Sequence, residues 1–161
     1  MARTKIAETV EAQLADPCES LYRLISFTSR DLRYALRQEL RQWGLTGTQF
    51  GVLLGAANGG SVGEIADGIF SDPTSIGRVI ERMEAAGLVE RYRRPPDRRV
   101  VWVRLQPAGE RLLKKVLPRH VARTNDVLGF LSPEQREQLV DLLTRVRRHV
   151  AEAGSSAGSE E

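Results

Sequence analysis

The 161-residue sequence predicts a mainly α-helical chain carrying one small β-hairpin. Three observations make that prediction. Five short segments have the chemistry of helix starts, each just ahead of an apolar run with helical spacing. The apolar period switches to strand-like alternation only once, between Gly87 and Leu105. The composition, 41% apolar and 28% charged, is that of an ordinary globular protein, which excludes collagen-like and wholly disordered chains.

The helix starts come first. A capping side chain accepts from orphan N–H groups, and an acid or amide three residues later reaches back to it. Asp16-Pro17-Cys18-Glu19, Thr46-Gly47-Thr48-Gln49, Ser61-Val62-Gly63-Glu64 and Ser132-Pro133-Glu134-Gln135 have both partners. Asp72-Pro73-Thr74-Ser75 has the cap and a proline at the first helical position.

The first helix carries Leu21, Ile25, Thr28, Leu32, Ala35, Leu36, Leu40 and Trp43 on one stripe and stops at Gly44. The second, from Thr48, is apolar on most sides through Phe50, Val52, Leu53, Leu54 and Ala57, so it belongs at the centre. The third, 62–69, is short. The fourth, 73–86, turns Ile76, Val79, Ile80 and Met83 inward and stops at Gly87. Residues 88–93 and 100–105 read as strands flanking an Arg- and Pro-rich tip that cannot complete a ladder. Pro107 opens a long helix with Leu112, Leu113, Val116, Leu117, Val121 and Leu128, which Pro118 is expected to kink. A last helix carries Leu139, Leu142, Leu143, Val146 and Val150. Residues 152–161 have the composition of a disordered tail, and Ile6, Val10 and Leu14 suggest an extra turn or two before the first helix.

One domain with short tails accounts for this length. A single cysteine forms neither an intramolecular disulfide nor a cysteine-based zinc cluster. The two histidines, His120 and His149, lie in Arg-rich helical stretches without companions at metal-ligand spacing, so no metal and no cofactor is expected. Residues 50–57, the longest nearly unbroken apolar stretch, fall far short of the roughly 20 residues a membrane helix needs. The first eight residues have no apolar core of a secretory signal. A cytoplasmic protein that does not engage a membrane is the expectation.

The net charge of +3 is small but unevenly placed. Between residues 78 and 104 stand eight arginines (78, 82, 91, 93, 94, 98, 99 and 104) against four acids, Glu81, Glu84, Glu90 and Asp97. The surplus of four exceeds that of the whole chain, so the remainder is slightly acidic. Concentrated arginine suits a polyphosphate partner, because each neutralised phosphate releases counterions. The competing reading is a solvated face with scattered ion pairs.

Short helix, tight turn, second helix and basic hairpin is the order of a winged helix-turn-helix. In that motif the second helix reads the major groove with its first residues, and the hairpin reaches the backbone or the minor groove. Thr74, Ser75 and Arg78 stand in those first turns. Gly77 costs about 1 kcal/mol of helix propensity relative to Ala. Two readings justify it: close approach to DNA, or close packing on a neighbouring helix.

Several stretches carry a family resemblance. They are Leu45-Thr46-x-x-Gln49-Phe50-x-Val52-Leu53; Glu64-Ile65-Ala66; Arg78 with Glu81-Arg82-Met83-Glu84-x-x-Gly87-Leu88-Val89-x-Arg91; Pro96-Asp97-Arg98-Arg99; and Val103-x-Leu105-x-x-x-Gly109. Together they resemble the multiple-antibiotic-resistance regulator (MarR) family of bacterial transcription factors over about residues 20–150. The resemblance implies a homodimer in which first and last helices of both subunits interlock. It implies an N-terminal extension (1–16), dimerisation helices (17–44 and 107–151) and a winged helix-turn-helix (45–106). It further implies a palindromic double-stranded DNA operator, bound in most members as a repressor and released by a small phenolic or lipophilic effector or by oxidation. The recognition-helix roles fall on Pro73, Thr74, Ser75, Gly77 and Arg78, with Arg82 one turn on. The wing roles fall on Arg93, Arg94, Asp97, Arg98 and Arg99, with Arg99 entering the minor groove and Asp97 holding its side chain. Gln106 stands where the family usually has Thr, and Gly77 where it commonly has a polar residue.

Effector-contact candidates on the first helix are Tyr22, Arg30, Arg33, Tyr34 and Trp43, with dimer contact or surface as the alternative. Cys18 is the redox candidate: a helix start favours a thiolate, adjacent Glu19 opposes it, and a passive cysteine is the alternative. No phosphate-binding glycine loop or nucleophile elbow is present, so no enzyme is expected. A winged helix that binds protein instead of DNA is the competing class.

Overall fold

The helix starts are capped as their residues require. In the computed structural model, which describes Ala7, Val10 and residues 14–69 and 71–157, Asp16 accepts from the backbone N–H of Cys18 at 2.8 Å and opens α1, Pro17–Arg41. Thr46 and Gln49 exchange backbone contacts of 2.8 and 3.2 Å ahead of α2, Gly47–Ala57. Ser61 and Glu64 do the same at 2.7 and 3.2 Å ahead of α3, Val62–Gly68. Asp72 accepts from Ser75 N–H at 2.8 Å and opens α4, Pro73–Ala85. After the strands β1, Val89–Tyr92, and β2, Trp102–Leu105, come α5, Pro107–Leu128, and α6, Pro133–Ala157. Ser132 and Gln135 cap α6 at 2.8 and 3.2 Å.

The described chain falls into two compact units, 1–123 and 124–161. The first contains the core. Val52 and Leu53 of α2, Ile76, Ile80 and Met83 of α4, Val89 of β1, Val103 of β2 and Val116 of α5 are fully buried together. Ile76, Ile80 and Met83 are spaced four and three apart, so one stripe of α4 faces inward. The strands pair antiparallel from Val89–Leu105 to Tyr92–Trp102. The second unit holds the end of α5 and α6, along which Leu139, Val140, Leu142, Leu143, Val146 and Val150 are exposed. On α1, Leu21, Tyr22, Leu24, Phe27 and Tyr34 are exposed as well.

The structure departs from the sequence expectations at three places. α1 ends at Arg41, before the expected stop, and residues 42–44 form a turn closed by Leu45 N–H donating to the Leu40 carbonyl at 3.1 Å, with Gly44 at φ +67°. The hairpin gains a third edge: Val62 N–H donates to Val101 at 2.9 Å and Val103 N–H to Gly60 at 3.0 Å, so the turn before α3 pairs with β2. α6 extends through Ala157, so the expected tail at 152–161 is helical in its first six residues. Once a helix is nucleated, each added residue gains a bond cheaply, and Ala151, Glu152 and Ala153 are good helix formers. Of the expected N-terminal turns, Ala7, Val10 and Leu14 are helical, and Ile6 lies outside the described residues.

Candidate nucleic-acid interface

Burying one stripe of α4 turns its opposite stripe outward. Thr74, Ser75, Arg78 and Arg82 are exposed there, one or two turns from a helix start whose cap is Asp72. Hydrogen bonds from Ser75 hold the Asp72 carboxyl below its ordinary range. Pro73, at the first helical position, is exposed beside them. A Cβ built on Gly77 would meet nothing within 4 Å. Packing against a neighbouring helix of this chain is therefore not why position 77 is glycine.

The wing tip is held by backbone-directed contacts. Arg93 Nη1 donates to the Arg98 carbonyl across the tip at 3.0 Å. The Asp97 carboxylate accepts from the Arg99 backbone N–H at 2.8 Å, an Asx turn that shapes the chain around Arg99. The resemblance assigned Asp97 to the Arg99 side chain; in the free protein the carboxylate engages the backbone instead.

Three of the four acids of this segment are consumed by two arginines. Arg91 Nε lies 2.8 Å from Glu84 and its Nη1 3.0 Å from Glu81, while its backbone N–H donates to Glu84 at 2.9 Å. Arg104 pairs with Glu90 at 2.9 Å and lies over the Tyr92 ring at 5.2 Å. Arg94 sits on the face of Trp102, 3.4 Å from the ring centroid. Among the described residues, the other six, Arg78, Arg82, Arg93, Arg94, Arg98 and Arg99, are exposed and carry no ion pair within the chain, Arg93 being engaged on a carbonyl and Arg94 on a ring. The unpaired cations of this segment are thereby located: two arginines on α4 and four on the wing, with Asp97 the one acid among them that is not in an ion pair.

The comparisons agree with this geometry. The MarR family model matches residues 43–100, which span α2, α3, α4 and most of the wing. The HTH-type transcriptional regulator MhqR of Bacillus subtilis strain 168 is 29% identical over 128 residues, 78% of this chain and 88% of its own. The uncharacterized HTH-type transcriptional regulator YsmB of the same organism is 31% identical over 101 residues, 62% of this chain and 69% of its own. The crystal structure of AbsC, a MarR family transcriptional regulator from Streptomyces coelicolor, superimposes with a TM-score of 0.76 at 26% identity, covering 86% of this chain and 97% of AbsC.

The chain belongs to the MarR family.

It is accordingly a transcriptional regulator with a winged helix-turn-helix, in a family that is not enzymatic. A fourth relative bears on regulation. The structure of Bordetella bronchiseptica BpsR, whose DNA binding is regulated by 6-hydroxynicotinic acid, matches with a TM-score of 0.70 at 27% identity, covering 80% of this chain and 99% of BpsR.

For a MarR regulator the remaining candidates stand as follows. Tyr22 and Tyr34 are 65% and 68% exposed on α1. Arg30 pairs with its neighbour Asp31 at 3.0 Å, and Arg33 donates to Ser29 at 2.8 Å. Trp43 is half-buried, donates to Glu39 at 3.3 Å and lies under Arg119, 5.8 Å away. Arg30, Arg33 and Trp43 thus have partners of their own and share none. Cys18 is exposed in the first turn of α1. His120 packs against the Phe50 ring at 4.5 Å; burial lowers its pKa, and the Glu39 charge opposes that shift. His149 is exposed on α6. Among the described residues no cluster suited to a metal occurs and no helix is long and apolar enough to cross a membrane.

Sequence reasoning missed Arg91, Glu81, Glu84 and Trp102 as builders of this MarR interface. Seven residues and a turn separate Glu84 from Arg91, so no helical or strand spacing pairs them. The signal available was the charge count: four acids stand amid eight arginines, close enough in sequence to pair with them.

Proposed function

We propose that this regulator binds double-stranded operator DNA as a homodimer, α4 entering the major groove and the wing the adjacent minor groove. Pro73, Thr74, Ser75, Gly77, Arg78 and Arg82 form the recognition surface, and Arg93, Asp97, Arg98 and Arg99 the wing surface. The observation that carries this reading is the partition of arginines. The chain neutralises Arg91 and Arg104, engages Arg93 on a carbonyl and Arg94 on a ring, and leaves Arg78, Arg82, Arg98 and Arg99 exposed without acids, on the two elements that reach DNA in this fold. Phosphate and base edges are the partners that arrangement fits.

Two further parts of the proposal have their own support. The apolar side chains exposed along α1 and along α6 exceed what a soluble monomer leaves in water, which supports a twofold dimer and hence a palindromic site. Regulation of BpsR DNA binding by a heteroaromatic acid supports a small aromatic or lipophilic effector acting on operator affinity; release by that effector, the repressor role and the cytoplasmic location are carried over from the family resemblance.

Selection of bound fragments from total genomic DNA, followed by gel shifts on the enriched sequence, tests the reading. Enrichment of a palindrome bound by wild-type protein is expected. No enrichment, with retention of a protein partner instead, would leave the winged helix as a protein-binding module.

A further inference from the structure

We propose that Arg94 sets the posture of the wing by stacking on Trp102, and contributes to DNA binding through that posture without touching a phosphate. The inference rests on the DNA-binding reading above and withdraws Arg94 from its direct contacts.

Trp102 is an unusually fixed platform. Its backbone is paired with Tyr92 of β1 on one edge and bridged to Ser61 on the other. The flanking bonds, Val62 to Val101 at 2.9 Å and Val103 to Gly60 at 3.0 Å, tie it to the start of α3. Tyr92–Trp102 is also the last pair of the hairpin ladder. Beyond it the chain enters Pro95-Pro96, neither of which can donate to a ladder. Order past that pair must therefore come from side chains.

Arg94 supplies it. Residues two apart on a strand share a face, so Glu90, Tyr92 and Arg94 project to one side of the hairpin. Trp102, opposite Tyr92, and Arg104, opposite Glu90, project to the same side. The contacts follow that register: Arg104 pairs with Glu90 at 2.9 Å and covers Tyr92 at 5.2 Å, and Arg94 covers Trp102 at 3.4 Å. Arginine and aromatic rings alternate along the outer face, and Arg94 is the last rung before the tip. A planar guanidinium at that distance from a ring face is held by cation–π attraction and by stacking, which an ammonium reproduces poorly. The α3 cap lies close enough to feel the same charge. Glu64, held below its ordinary range first by the Ser61 backbone N–H and hydroxyl, is lowered further by Arg94.

A phosphate contact and a positioning contact differ in what salt does to them. Removing a phosphate contact lowers the slope of log affinity against log salt by about one per site. Removing a strut lowers affinity with little change of slope. The experiment measures operator affinity across a salt series for wild type, Arg94→Ala, Arg94→Met and Arg99→Ala. Arg94→Ala is expected to weaken binding about two- to fivefold, the worth of an exposed cation–π pair, at unchanged slope. Arg94→Met keeps a long polarizable chain to lie on the indole and carries no charge, so it should restore most of the affinity. Arg99→Ala should lower the slope, showing that the assay detects the loss of a charge seated on the DNA. A slope reduced by about one in both Arg94 variants overturns the proposal, as does an Arg94→Ala protein that binds like wild type. Tryptophan fluorescence of the free protein keeps the two readings separable. A spectrum altered by Arg94→Ala but not by Arg94→Met supports the stack even should the operator reading fail, and one unaltered by either overturns it.

Discussion

Arg91 grips Glu84 twice: its guanidinium lies 2.8 Å from one carboxylate oxygen, and its backbone N–H donates to the other at 2.9 Å. Because Glu84 is on α4 and Arg91 on β1, this pair fixes the angle between the recognition helix and the wing. The Arg91 backbone N–H holds the Glu84 carboxyl below its ordinary value of 4.5; burial opposes it, and the Arg91 guanidinium adds a further lowering by hydrogen bond and charge.

A carboxyl whose folded value is depressed stabilises the fold fully above its unfolded value and loses that contribution as pH falls through the folded one. Wild-type melting temperature should therefore drop on acidification below about pH 4.5. Glu84→Gln should cost about 1 kcal/mol at neutral pH, after allowance for solvent screening at this partly exposed pair. It should also flatten the acid limb, measured by thermal melts at graded pH.

Arg99 and Arg78 are expected to fail differently. Arg99→Ala should weaken all sequences alike and reduce the salt slope by about one, since minor-groove insertion senses width and potential more than base identity. Arg78→Ala should cost about 1–3 kcal/mol on the operator and relax one base position per half-site, the loss of a bidentate guanine contact. Competition gel shifts with single-base operator variants separate the two patterns.

Asp97 discriminates between a builder of the tip and an acid misplaced beside phosphate. Asp97→Ala should weaken binding despite the more positive wing, because the Arg99 backbone loses its acceptor. Asp97→Asn keeps an acceptor and should retain most of the affinity. Tighter binding by Asp97→Ala at fixed salt would refute the role.

Gly77→Ala should move stability and binding in opposite directions. Its Cβ enters open space, so the free protein should gain roughly 0.8–1.0 kcal/mol of helix propensity and melt higher. Operator affinity should fall if DNA approaches that backbone. Unchanged affinity in the stabilised variant would remove close approach from the interface.

Dimerisation is tested on α6. Leu142→Glu, at a position 54% exposed in the single chain, should dissociate the protein in sedimentation and weaken operator binding with it. A folded wild-type monomer at micromolar concentration that still binds operator would overturn the dimer.

The helices were legible because their starts are written within three or four residues of one another. Asp16, Thr46, Ser61, Asp72 and Ser132 all cap, and the residue three on reaches back at Gln49, Glu64 and Gln135, though Glu19 does not do so for Asp16. The recognition face followed from the same logic, since burying Ile76, Ile80 and Met83 leaves Arg78 and Arg82 outward. What stayed hidden was non-local. The third edge at residues 60–62, the Glu84–Arg91 grip and the Arg94–Trp102 stack join segments that no period connects. The α6 end was misplaced because Gly154 and the serines after it suggest a tail, whereas an established helix carries such residues a further turn.

The core of the winged lobe draws on residues from Leu40 to Val116, and none of its members comes from α6, Pro133–Ala157. A ribosome moving from the N-terminus has therefore delivered every core residue before the first turn of α6 exists. Domains fold as units in that order during synthesis. All core residues of the reading head are thus synthesised ahead of the exposed leucine and valine row of α6, and closing that core needs no residue of the row.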